Sequence, residues 1–456
     1  MNADASFRPS EHLRDLAEKL IDAARRAGAD QADALAVDGR SLSVVTRAGT
    51  LEQAERAEDL ELGLRVLVGG KQAAVSSSDR GAEAIADMAL RAVAMAREAP
   101  VDDYLGLAAP DQLARQRDGA GLELAEDAPE PAPETLQHRA LRAEAAASVH
   151  EGISQVESAD AGYSRRRLWL AASNGFSGGY ERTSHIVSVI AITGEGLAME
   201  RDYAGEARVF ASDLPEPEEI GTLAAERALA RAGAKRPPTG AFPVLFDQRV
   251  AASLIGHLLS AVNGSAVARG ASWLRRDLGE QVLPAGMDLI EDPLRPRYTA
   301  SRPFDAEGLP TQRRRIVADG VLQGWTLDLA TARKLGLTST GSASRGLASA
   351  PAPSHSNVIL SNGVTDRDGL IAQMGRGLVV TSMLGASINP TTGDYSRGAA
   401  GFWVEAGQIA YPVNECTIAG NLRDMLRRMI AGDDSLPWRG IEVPSLLVEG
   451  MTVAGA

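Results

Sequence analysis

Residues able to do chemistry are sparse and scattered in this chain. Asp305 and Glu307 stand two apart in Phe304-Asp-Ala-Glu-Gly-Leu-Pro-Thr311, so an extended backbone puts both carboxylates on one face. Such a pair can exchange protons or hold a metal, and it can equally cap a turn. The local sequence leaves both readings open. Farther on, the segment from Gly385 to Glu405 crowds Asn389, Thr392, Asp394, Ser396 and Glu405 among glycines, alanines and other turn formers. A long loop of that composition lets backbone approach a ligand, a peptide or another subunit. The plainer alternative is a set of tight β-turns in a glycine-rich barrel.

The six histidines are His12, His138, His150, His185, His257 and His355. None lies one helical turn from another, so no pair can ligate a metal from one helix face. His257 falls at the edge of the apolar stripe Val250, Leu254, Leu258 and Val262, the place of a partly buried, hydrogen-bonded histidine. His150-Glu151 opens like a zinc-helix motif, but Ser154 and Gln155 follow where a second histidine is needed. Gly175-Phe-Ser-Gly-Gly179 matches a nucleophile elbow. That motif needs a strand before it and a helix after it, whereas here the Asn174-Gly175 pair marks a hairpin between strands. The glycine-rich segments hold no Gly-Lys-Ser/Thr, so a P-loop has no support.

A chain of 456 residues is too long for one core, and two domains are expected. Hydrophobic content of 44% with only 4% aromatics predicts cores of small aliphatic residues. A net charge of −13 argues against a nucleic-acid binder held by phosphate contacts. The runs Arg165–Arg167 and Arg313–Arg315 then read as solvated faces of strands. The single cysteine, Cys416, excludes an internal disulfide and an all-cysteine metal site, and fits a reducing cytoplasm. The first ten residues lack an apolar signal region, and no apolar run is long enough to span a bilayer. A cytoplasmic protein without membrane contact is expected.

The elements that must position these groups follow from periodicity. Residues 11–27 form an amphipathic helix on Leu13, Leu16, Leu20 and Ala24, with Ser10 as N-cap. Hairpins are predicted at Asp38-Gly39 and at Gly69-Gly70. Helices follow over 80–99, 134–151 and 216–232, and four strand-like segments lie between Ile153 and Phe210. Residues 110–133, rich in Pro and acids, read as a surface excursion. Lys235-Arg-Pro-Pro-Thr-Gly240 is the linker. The fold class is α+β: an N-terminal mixed helix and antiparallel-sheet domain over 1–235, then a β-rich domain over 236–456. That second domain opens with a strand over 241–246 and a helix over 248–262.

With these pieces in place, the chain resembles the TldD/PmbA family, long labelled modulators of DNA gyrase, and is most similar to its PmbA (TldE) branch. The resemblance rests on Phe304-Asp-Ala-Glu-Gly308, Leu329-Ala-Thr-Ala-Arg-Lys-Leu-Gly336, Asn389-Pro-Thr-Thr-Gly-Asp-Tyr-Ser396, Gly401-Phe-Trp-Val-Glu405 and Thr417-Ile-Ala-Gly-Asn-Leu422. It implies one half of a zinc peptidase built from two related subunits that enclose a cleft. In the TldD-type subunit the zinc ligands are a His-Glu-x-x-x-His helix and a later cysteine. The matching helix here offers His257 alone, Trp403 stands near the cysteine's place, and Cys416 falls about a dozen residues too late.

The resemblance therefore implies a metal-free subunit with no catalytic or metal-binding residues of its own. Zinc would sit on a TldD-type partner in a heterodimer, the isolated chain would form a homodimer, and unfolded peptide would be the substrate. His257, Asp305, Glu307, Asn389, Thr392, Asp394, Ser396, Trp403 and Glu405 become candidates for lining the cleft or touching peptide. Two rivals are a self-sufficient hydrolase using Asp305, Glu307 or Asp394, and a regulatory binding protein of a topoisomerase or a toxin–antitoxin pair.

Overall fold

The computed structural model describes residues 9–455, apart from the side chains at positions 9, 10 and 386. The N-cap expected at Ser10 lies outside these described side chains. Helix α1 (Pro9–Ala27) buries Leu13, Leu16, Leu20 and Ala24, the stripe expected from its periodicity. It lies on a sheet of β1 (Gln31–Arg47), β2 (Thr50–Val68) and β3 (Lys71–Ser77), followed by α2 (Ala82–Glu98). After an irregular stretch come α3 (Pro133–Ser148), β4 (Ile153–Ala172), β5 (Ser177–Thr193), β6 (Glu200–Arg208) and α4 (Pro217–Ala230). The region after Ile153 thus holds three long strands where four strand-like segments were expected.

The six strands form one antiparallel sheet in the order β3-β2-β1-β4-β5-β6. Alternation along each strand divides its two faces. One face meets the helices: Ala32, Ala34, Ala36, Leu62 and Leu64 pack in one core with α1 and α2. Val44, Ala159, Ala161, Val187 and Val189 pack in another with α3 and α4. Burying each of these Leu or Val side chains contributes about 1.5–3 kcal/mol, and the alanines let the helices lie close. The opposite face turns toward the second domain.

The hairpin expected at Asp38-Gly39 is absent. Strand β1 runs straight through both residues and turns at Ala48-Gly49, where φ is +51° and +73°. The glycine serves the sheet instead: a Cβ on Gly39 would sit 2.0 Å from the Asp59 carboxylate across the strand pair. The Gly69-Gly70 hairpin is as expected, with both residues at positive φ.

The second domain begins with β7 (Gly240–Phe246) and α5 (Gln248–Ala261). Strand β7 runs parallel to Gly377–Ile388 and antiparallel to Leu446–Ala454. Strands Asp394–Glu405 and Gln408–Asn421 continue the sheet, and Gln408–Asn421 also pairs with Leu446–Ala454, which closes it into a small barrel. Asp247 caps α5 by accepting the Arg249 N–H at 3.1 Å. The helix buries Leu254, Ile255 and Leu258 in the same core as Val244, Phe246 and Val380 of the barrel. Among the described residues, no helix is long and apolar enough to cross a membrane.

Candidate functional site

Helix α5 is where the second domain could present chemistry, and it presents His257. The imidazole is half-buried, and its centroid lies 5.8 Å from the Tyr395 ring in an edge-on contact. Burial, reinforced by the nearby Arg397 cation, pushes its pKa below the ordinary histidine value. Its Nε2 has no hydrogen-bond partner among the described residues. One turn before and about one turn after it on α5 stand Ser253 and Ser260. Residues here do not fit a zinc ion. A catalytic zinc takes three protein donors, yet the neighbours of His257 in space are an aromatic ring and a guanidinium. Among the described residues no group of three or more His, Cys, Asp or Glu side chains is placed to hold a metal. Cys416 is buried, donates to the Ala399 carbonyl at 3.1 Å, and burial pushes its thiol up to about 11, so it is a protonated core residue.

The glycine-rich segment is mostly strand. Gly377–Ile388 and Asp394–Glu405 form a β-hairpin, and only residues 389–393 are loop. The plainer alternative of turns in a barrel describes it better than a long loop. Gly401 is a strand glycine: its Cβ would fall 1.9 Å from the Val379 carbonyl oxygen on the neighbouring strand.

The hairpin tip gathers three of the candidates. Asn389 Oδ1 accepts the N–H groups of Thr391 and Thr392 at 2.9 and 3.2 Å. The Thr392 hydroxyl donates to Asp394 Oδ2 at 2.7 Å, and Asn421 Nδ2 donates to Asp394 Oδ1 at 3.1 Å. These two bonds hold the exposed Asp394 carboxylate below its ordinary pKa. The tip is an Asx-type turn, its polar atoms spent on shaping itself. Ser396 lies further in, opposite Ser387 on the partner strand.

Trp403 and Glu405 are at the other end of that strand. At about 3.3 Å per residue the eleven steps from Asp394 to Glu405 span roughly 30 Å or more, so tip and far end cannot serve one reaction. Trp403 is fully buried, packs edge-on against Phe242 at 4.9 Å, and donates its Nε1–H to Glu405 at 3.2 Å. A residue so enclosed holds the core together and presents no surface to a peptide.

Asp305 and Glu307 lie elsewhere again, in the seam between the domains. Both are buried. Asp305 accepts three backbone N–H groups, from Glu307 at 2.9 Å, Leu309 at 3.0 Å and Ala343 at 3.0 Å. Glu307 accepts the Leu329 N–H at 2.8 Å, at the start of the helix Leu329–Leu335. Desolvation raises both pKa values, and the neighbouring Asp305 and Asp328 help push Glu307 up to about 8.

The pair is the turn-capping version of the motif, and it sits beside a buried ion cluster that sequence reasoning missed. Asp33 of β1 is shared by Arg65 of β2 and by Arg345 of the second domain, all three nearly inaccessible. The β1–β2 register sets Asp33 opposite Arg65, a juxtaposition legible only once the turn at Ala48-Gly49 is known.

Three family profiles cover this architecture in order. They are described as PmbA/TldA metallopeptidase domain 1, central domain and C-terminal domain, and they match residues 32–96, 126–232 and 239–455. The metalloprotease PmbA of Escherichia coli O157:H7 is 38% identical over 415 residues, which is 91% of this chain and 90% of that one. The chain belongs to the PmbA/TldD metallopeptidase family. A Bacteroides thetaiotaomicron protein described as a candidate modulator of DNA gyrase has the same fold: TM-score 0.89, 26% identity, 97% of this chain and 99% of that one. TldE of Thermococcus kodakarensis is similar in fold, with a TM-score of 0.82 at 19% identity, covering 96% and 100% of the two chains. The mixed helix and antiparallel-sheet domain followed by a strand-rich domain is thus the fold of the family.

Proposed function

We propose that this chain is the metal-free partner subunit of a cytoplasmic zinc peptidase of the TldD/TldE type. A second, TldD-type chain carries the zinc, and this one completes the cleft and holds unfolded peptide. The observation that carries the reading is the surroundings of His257. An ion of charge +2 is stabilised by anionic and neutral donors, and here the single imidazole has Tyr395 and the fixed cation of Arg397 as its neighbours. The 38% identity to a metalloprotease PmbA and the fold shared with a TldE protein support the coarser part of the reading, a place in a peptidase complex. Peptide holding is supported by the first sheet. Strand β3 pairs with β2 only over Leu62–Val68, so from Thr50 to Glu61 the outer edge of β2 has no paired strand among the described residues. An extended peptide adds to such an edge through main-chain hydrogen bonds.

The test is reconstitution. Mixed with a TldD-type chain from the same organism, this chain should co-elute as a heterodimer, and an unfolded peptide should be cleaved only by the mixture. Alone it should run as a homodimer and cleave nothing. Chelator-sensitive cleavage by the pure chain, lost in His257→Ala, would overturn the proposal.

A further inference from the structure

A cavity of about 280 Å³ opens between the free face of the first sheet and the second domain, apart from both His257 and the hairpin tip. Its apolar wall comes from alternate residues of β1 and β4, among them Leu35, Val37, Leu168 and Leu170, with Phe304 facing them. Its polar wall is unbalanced: Arg166, Arg182, Arg302 and Arg345 against one acid, Asp305. That acid is already committed to its three backbone N–H groups.

Protein anions offset these arginines only in part: Asp33 pairs with Arg345, while Arg166 and Arg182 have no carboxylate partner among the described residues. Arg166 and Arg182 are directly opposite each other on β4 and β5, and like charges in that position repel. Arg182 donates to the Thr299 carbonyl and, at 2.7 Å, to that of Ser301. Arg302 spends both Nη groups on the carbonyls of Ala343 and Ser354, at 3.0 and 3.1 Å, and its buried Nε has no partner. The Arg345 side chain is 1% exposed, and beyond its ion pair with Asp33 its Nη2 has no hydrogen-bond partner. A buried N–H donor without an acceptor needs a partner, which a water or a ligand can supply.

The geometry points to a binding site for a carboxylate that carries an apolar chain. One guanidinium is open to a ligand, that of Arg166 at the mouth, and the partnerless Arg302 Nε and Arg345 Nη2 are enclosed behind it. Few donors, with a largely apolar wall, suit a planar monoanion better than a phosphate. A peptide with a free C-terminus and an apolar last residue has this chemistry, and so does a small branched-chain acid. The peptide as source rests on the proposed role in a peptidase; the site itself does not.

The experiment is calorimetric titration of the full chain at pH 7 with N-acetyl-Ala-Leu as free acid, the same peptide as C-terminal amide, and 4-methylpentanoate. The acid should bind at least about tenfold tighter than the amide, the loss expected when a charge-assisted contact is removed. Arg166→Ala should weaken the acid about tenfold and leave the amide unchanged, with Arg166→Lys in between. Arg166 is exposed and makes no ion pair among the described residues, so its removal spares the fold. Tighter binding of the peptide acid than of 4-methylpentanoate assigns the peptide as source, and the reverse order assigns a free acid; both support the site. Equal affinity for acid and amide, no binding at millimolar concentration, or an unchanged affinity in Arg166→Ala would overturn it. Because the second chain is absent, failed reconstitution with intact binding, or the converse, separates this inference from the proposed function.

Discussion

The barrel hairpin and the seam between the domains carry the same kinds of side chain in opposite situations. At the hairpin tip, Asp394 is exposed, hydrogen-bonded to Thr392 and Asn421, and held below its ordinary pKa. At the seam, Asp305, Glu307, Asp33, Arg65 and Arg345 are buried, and desolvation moves the Glu307 carboxyl up to about 8. Water pays most of the solvation of the first group and little of the second. The lesson is that an acid crowded among glycines looks catalytic in the sequence, whereas the charges that matter most to this fold are far apart in the chain and dry.

The comparison predicts a graded set of effects. Asp33→Ala should be the most damaging, because it leaves the Arg65 and Arg345 guanidiniums buried without their shared anion. A loss of about 3–5 kcal/mol is expected, read as a lowered urea midpoint. A loss below about 1 kcal/mol would show the cluster to be hydrated.

Glu307 gives a pH signature. Its folded pKa is raised above the unfolded value near 4.3, so between there and about 8 the native state binds more protons than the unfolded one. Stability then falls as pH rises through that window, by at most about 1.4 kcal/mol per pH unit for one proton. Glu307→Gln keeps an oxygen acceptor for the Leu329 N–H, and should flatten the slope between pH 5 and 8 (roughly, from those pKa values). A slope identical to the parent's would mean that Glu307 titrates normally.

Asp394→Ala removes two exposed hydrogen bonds and should leave the urea midpoint nearly unchanged; a drop matching that of Asp33→Ala would erase the contrast between the regions. Smallest of all, His257→Ala should change peptide cleavage by a reconstituted pair less than about twofold, since the proposed role gives His257 neither a metal to bind nor a proton to move.

Much of the fold was legible in the sequence. The helices follow their apolar stripes, and the turns at Gly69-Gly70 and Asn174-Gly175 fall where the sequence puts them. Asp38-Gly39 misled because a glycine demanded by a cross-strand clash looks like one demanded by a turn. The glycines after Gly385 misled similarly, Gly401 being needed for strand approach. Trp403 and the Asp305–Glu307 pair could be picked out as residues but not placed, because burial is set by packing from distant segments. Arg166 and Arg182 were closer to reach: they are equidistant from the Asn174-Gly175 turn, and the hairpin register follows from that turn. Arg302 and Arg345 join them only through the docking of the two domains.

The central claim, that this chain holds no zinc while its partner does, is open to one direct measurement. Elemental mass spectrometry on the purified chain and on the reconstituted pair should find no stoichiometric zinc in the first and about one zinc per heterodimer in the second. Stoichiometric zinc in the isolated chain, lost in His257→Ala, would contradict the account.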